Sequence, residues 1–151
     1  MTSKNKAHLR LPELKLIAET FYKKLYYSMP DALLYQEWKS ESLTMDYDAF
    51  RTEAGLFVET VLDFRPAVIL TNQEDFNYIL SEENNQWYLQ NLIPVLQNTG
   101  VKKIAIVGND SLLNYIQLEN LAESVRLSYG NLPVESLFFD DIERAIHWLK
   151  K

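Results

Sequence analysis

Chemistry on this chain would have to come from serine, carboxylate, histidine or aromatic side chains, because it contains no cysteine. Thiolate nucleophiles, disulfides and cysteine-based metal sites are therefore excluded. Adjacent carboxylates occur at Glu74-Asp75, Glu82-Glu83 and Asp140-Asp141. General acid–base work needs two carboxylates in different environments around one substrate. Neighbours on one segment do not supply that. Two of these pairs also fall at helix starts, where they complement the helix dipole. The histidines are His8 and His147, too few for a histidine-based zinc site. No G-x-S-x-G segment presents a nucleophilic serine. Gly108-Asn109-Asp110-Ser111 follows a strand pattern, but it has one glycine, no lysine and an anion-repelling aspartate, so it makes a poor phosphate loop. A Mg²⁺-dependent phospho-receiver needs acidic strand ends, and Leu70 is followed by Thr71-Asn72. The residues read as a non-catalytic protein without metal or cofactor.

What remains is an aromatic concentration around one serine: Phe76, Tyr78, Ser81, Trp87 and Tyr88. Ser81 suits the N-cap of a helix, worth ~1 kcal/mol. A phosphate on it would meet a favourable helix dipole but also Glu82 and Glu83. At ~100° per residue, Trp87 falls about 160° from Leu89, off the Leu89, Leu92, Ile93 and Leu96 stripe. It is either a partner-binding anchor or a side chain packed under the Phe76–Tyr78 segment. Together the aromatics would suit the wall of an apolar or lipid-like ligand pocket, or ordinary core and rim packing.

The elements that must position these groups are legible from pattern. The 151 residues, 47% of them hydrophobic and 24% charged, fit one globular domain. Residues 1–13 read as a flexible tail and 14–151 as the domain. The net charge of -6 disfavours nucleic-acid binding. The tail has Lys4, Lys6, His8 and Arg10 but no apolar core, so it is not read as a secretory signal. No apolar run approaches the ~20 residues of a membrane span. The expectation is a soluble cytoplasmic protein.

Ile17 to Trp38 is rich in β-formers, with Phe21, Lys23, Leu25 and Tyr27 on one alternation and Tyr22 and Tyr26 on the other. Met29-Pro30-Asp31 breaks it into an antiparallel hairpin, whose free edge is a template for pairing with a second copy. Thr44 or Asp46 caps a helix running to Phe64, ended by Arg65-Pro66. Three buried strands follow, each with an amphipathic helix: Ala67–Leu70, Ile104–Val107 and Val134–Phe139. The first of those helices starts at Ser81, should kink at Pro94 and ends at Gly100. The second runs from Asp110 to Tyr129-Gly130, with Leu118, Leu121, Ala122 and Val125 inward. The third is capped by Asp140, with Glu143 completing a capping box. The expected fold is α/β: a mixed sheet of about five strands, an N-terminal antiparallel hairpin then parallel βαβ units, with about four helices.

In this order the pieces resemble the STAS superfamily of sulfate transporters and anti-sigma-factor antagonists, in its stand-alone bacterial, CRAL-TRIO-like branch. The matching segments are Trp38 ending its strand, Pro66 before Ile69-Leu70, Phe76 to Trp87, Gly100-Val101-Lys102-Lys103-Ile104-Ala105, and Phe139-Asp140-Asp141 with Ala145 and Trp148-Leu149. The resemblance covers residues 14 to 150. It implies a regulatory protein-interaction module of the bacterial cytoplasm, with a kinase or regulatory factor as partner. It also implies Ser81 as the place of a phosphosite, although Leu80-Ser81-Glu82-Glu83-Asn84 stands where the family carries an Asp-Ser-Ser-Gly-Leu type motif. The alternative it implies is a small carrier of lipid or another apolar ligand.

Overall fold

The β-former-rich start of the domain makes three strands instead of two: β1 (Leu14–Glu19), β2 (Lys23–Ser28) and β3 (Leu33–Trp38). The extra break lies at Thr20-Phe21-Tyr22, and a threonine closes it. The Thr20 hydroxyl oxygen accepts from the backbone N–H of Tyr22 (3.0 Å) and of Lys23 (3.1 Å), and Thr20 N–H donates to Lys23 C=O (2.9 Å). Such a hydroxyl-closed turn needs neither glycine nor proline, so nothing in composition marks it. The second break is the expected one: Ser28 Oγ donates to Asp31 Oδ2 (3.1 Å), and Ala32 N–H to Met29 C=O (3.2 Å). The computed structural model describes residues 13–108, 123, 125–127, 130 and 134–151. The N-terminal tail before residue 13, the Asp110 cap and the inward positions Leu118, Leu121 and Ala122 lie outside the described residues.

A short 3₁₀ turn (Ser40–Thr44) leads into helix α1 (Tyr47–Phe64). Its cap is Asp46, whose carboxylate accepts from Ala49 N–H at 2.8 Å. The helix stops at Arg65, which takes a left-handed conformation (φ 47°, ψ 58°) and donates its N–H to Val61 C=O. The proline that follows keeps Arg65 out of the right-handed helix, and the chain turns left-handed rather than extended. Strand β4 (Val68–Asn72) is followed by α2 (Glu82–Thr99). Ser81 Oγ caps α2 by accepting from Asn84 N–H (3.1 Å), and Gly100 closes it at φ 85°. Pro94 lies inside α2 with its ring exposed, and the helix continues past it. Strand β5 (Lys103–Val107) precedes a helical turn at 125–127 that closes on Gly130 (φ 72°). Strand β6 (Glu135–Phe139) and helix α3 (Ile142–Leu149) complete the domain. The cap of α3 is Asp141, which accepts from Glu143 N–H at 3.0 Å; it is not Asp140, which pairs with Arg144 one turn on.

The result is a six-stranded mixed sheet in the order β1-β2-β3-β4-β5-β6. The first three strands are antiparallel and β3 to β6 are parallel. Alternation sends Leu25, Leu34 and Ile69 to the face covered by α1 and α2. It sends Tyr26, Tyr35, Leu70 and Ala105 to the face covered by α3. Strand β6 corrects the expectation of a third buried strand. It stands at the sheet edge with a neighbour on one side only, leaving Leu137 48% and Phe138 38% exposed. The opposite edge, β1, carries a bulge between Leu16 and Ala18, which disrupts the regular ladder that a second copy would extend.

Candidate functional site

Between the sheet and the helix pair α1/α2 lies an apolar cavity of about 510 Å³, within the ~300–1,000 Å³ of small-molecule sites. Its floor is formed by sheet positions that share one alternation, including Ile69, Ile104 and Ile106, and its roof by Phe57 of α1 and Leu92 and Leu96 of α2. Polar side chains on the wall are few: Gln36, Thr71, Gln73, Arg126 and Ser136. Two buried polar atoms on wall residues have no hydrogen-bond partner among the described residues, Trp38 Nε1 and Gln73 Oε1. Such atoms are uncommon in folded proteins, because each forfeits the hydrogen bond it had in water.

Behind this wall sits Lys23, fully buried on β2. Its Nζ donates to Gln36 Oε1 (2.8 Å) and to the backbone C=O of Glu53 (2.7 Å). It also lies over the rings of Trp38 (4.7 Å) and Phe57 (5.7 Å). Burial pushes its pKa down to about 7, against the opposing pull of the Glu53 carboxylate. Glu53 is itself buried and accepts from the Thr20 hydroxyl at 2.8 Å. From Lys23 the hydrogen bonds run on across the sheet, since Gln36 Nε2 donates to Thr71 Oγ1 (3.0 Å).

No protein-family model, curated protein or solved structure matches this chain.

Of the five expected site residues, Phe76 and Tyr88 line the cavity, Tyr78 and Trp87 pack against the aromatic cluster beside it, and Ser81 stands outside as a helix cap. Phe76 packs on Trp38 with ring centroids 4.8 Å apart, and Tyr88 stands edge-on to Phe50. Burial pushes the Tyr88 phenol above its ordinary range. Tyr78 stacks on Phe50 (5.1 Å, 8° between planes), and its hydroxyl oxygen accepts from Asn84 Nδ2 at 3.1 Å. Trp87 is half-buried against this aromatic cluster, with the Arg51 guanidinium 4.8 Å over its ring. Ser81 is exposed and occupied as the α2 cap. Asn84, fully buried, ties the group together: its Oδ1 accepts from Arg51 Nε (2.8 Å) while its amide reaches Tyr78.

Sequence reasoning passed over Lys23, Gln36, Trp38, Thr71 and Gln73 as site residues. A signal existed for Lys23, which shares the apolar alternation of Leu25 and Tyr27 and so must face the core if they do. The Gln36–Thr71 pair had no such signal, because it depends on the register between β3 and β4. On the opposite face a second polar group surrounds buried Glu37, where the Tyr35 hydroxyl donates to its carboxylate (3.1 Å) and accepts from Asn72 Nδ2 (3.1 Å). These bonds satisfy one another. Burial and the Glu37 charge raise the Tyr35 pKa, which keeps the phenol protonated as a structural donor. The carboxylate pairs at helix starts, Glu82-Glu83 and Asp140-Asp141, are exposed. Among the described residues no three acidic or histidine side chains converge as metal ligands, and no helix is long and apolar enough to cross a membrane.

Proposed function

We propose that this protein binds an apolar small molecule in the cavity between its sheet and helices α1 and α2, and acts as a carrier or ligand-responsive module without turnover. The observation that supports this reading is the cavity itself. An open cavity of about 510 Å³ walled by leucine, isoleucine and aromatic side chains presents apolar surface that a bound ligand would remove from water. The CRAL-TRIO-like side of the STAS resemblance belongs to the same proposal. The first test is native mass spectrometry of the purified protein. A non-covalent adduct that disappears on denaturation is expected. A bare mass, together with no uptake of a hydrophobic fluorophore, overturns the reading.

A second reading, a regulatory module whose partner is a kinase or another regulatory factor, is favoured by Ile79. This side chain is 67% exposed in the loop just before Ser81, beside the helix start that the STAS resemblance assigns to a partner. Loss of such a complex in Ile79→Asp supports it; an unaltered complex removes that contact.

A further inference from the structure

The cavity's polar groups have an order, and on the ligand-binding reading above they specify a head group. Gln36 and Thr71 are paired positions on the adjacent strands β3 and β4. Ile69 and Ile104, themselves a paired step on β4 and β5, lie nearer the N-terminal ends of those strands on the same face. Gln36, Thr71 and the following Gln73 therefore form a polar patch toward the C-terminal ends of β3 and β4, separate from Ser136, which is paired with Ile104 on β6, and from Arg126, a cation elsewhere on the wall.

The hydrogen bonds at that end also have a direction. Lys23 Nζ donates to Gln36, and Gln36 donates to Thr71 Oγ1. Thr71 thus spends its oxygen as an acceptor, and its own O–H has no acceptor among the described residues. Trp38 Nε1, on the same wall, is a second donor without a partner among the described residues. Gln73 Oε1, an acceptor on the same wall, has no partner among the described residues. The chain of donors starts at a buried amine. The groups facing that amine are Gln36 and Trp38 from β3 and Phe57 and Glu53 from α1.

We infer that the occupant of the cavity is an amphiphile with a carboxylate head, seated at the Gln36–Thr71 end with its chain over Ile69 and Ile104, and that Lys23 is its buried counter-charge acting through Gln36. A carboxylate is acceptor-only and takes what this end offers. Its burial needs a compensating charge, which Lys23 supplies when protonated: its pKa of about 7 places that state at or below neutral pH, and a carboxylate bound nearby raises it. An alcohol can use the Thr71 donor but gains little from the amine. An alkylammonium brings donors to the donors of Thr71 and Trp38 and is disfavoured.

The test compares decanoate, decanol and decylammonium on the full chain by calorimetry or fluorophore displacement. Decanoate should bind at least about tenfold more tightly than decanol, since hydrogen bonds to charged groups are the stronger class. Decylammonium should bind more weakly than either. The decanoate-to-decanol ratio should fall toward one in Lys23→Met and in Thr71→Val. The second keeps the side-chain shape and decides the matter if the first does not fold. Decanol binding as well as decanoate, or a ratio unchanged in both variants, overturns the inference while leaving the cavity a ligand site. Binding of none of the three overturns the ligand-binding reading and this inference with it.

Discussion

Lys23 is the residue whose burial most needs a physical account. An ammonium removed from water is costly unless partners replace its hydration. Here two carbonyl oxygens and the face of Trp38 do so. The replacement is incomplete, and the folded-state pKa falls from 10.5 to about 7. Between those values the unfolded chain holds a proton that the folded chain has released. Stability should therefore rise with pH in that window, by up to about 1.4 kcal/mol per pH unit. Below the lower value both states are protonated and the penalty stands in full. The phenols of Tyr26, Tyr35 and Tyr88, all raised by burial, act in the opposite sense, but only once unfolded tyrosine ionises near pH 10. Urea midpoints between pH 7 and 9 should thus climb in the wild type and stay flat in Lys23→Met. A flat wild-type profile would mean that the amine is no more costly folded than unfolded.

Helix ends carry the clearest local energetics. Asp46 and Ser81 each satisfy an orphan N–H at a helix start, so Asp46→Ala and Ser81→Ala should each lose ~1 kcal/mol in chemical denaturation. Arg65 is the converse case. It closes α1 in a left-handed conformation that a side chain resists, and glycine is the usual residue there. Arg65→Gly should stabilise the protein by up to about 1 kcal/mol, read as a higher denaturation midpoint. These sites were legible because a cap is a local transaction between neighbours in sequence. At α3 the legibility failed by one residue. Asp140 and Asp141 are equally good caps by type, and the choice fell to Asp141 when Asp140 turned to pair with Arg144. At β1/β2 it failed altogether, because the turn is closed by the Thr20 hydroxyl inside an uninterrupted run of β-formers.

At the scale of the whole molecule, the cavity sets a trade between stability and binding. Leu92 of α2 is on its wall, and Leu92→Trp would put an indole into the void. Without ligand this variant should melt no lower than the wild type, because the added ring fills space instead of displacing packed atoms. Adding a bound amphiphile at 100 times its dissociation constant should stabilise the wild type by ~2.7 kcal/mol and leave Leu92→Trp unmoved. Equal thermal shifts in both proteins would place the ligand elsewhere.

The sequence alone determined the alternation of strands and helices after the N-terminal strands, the Ser81 cap of α2, a choice of Thr44 or Asp46 for the cap of α1, and the closeness of Phe76, Tyr78, Trp87 and Tyr88 to Ser81. Each of these depends on residues close in the chain or on a repeating period. Tertiary structure decided that Lys23, Gln36 and Thr71 line up across β2, β3 and β4. It also decided that β6 is an exposed edge and that α1 and α2 leave a void above the sheet. Register between strands and the spacing of helices over them arise from contacts between segments far apart in sequence. A periodic pattern shows which face of an element is apolar; what that face meets, and how closely, emerges only when the elements pack.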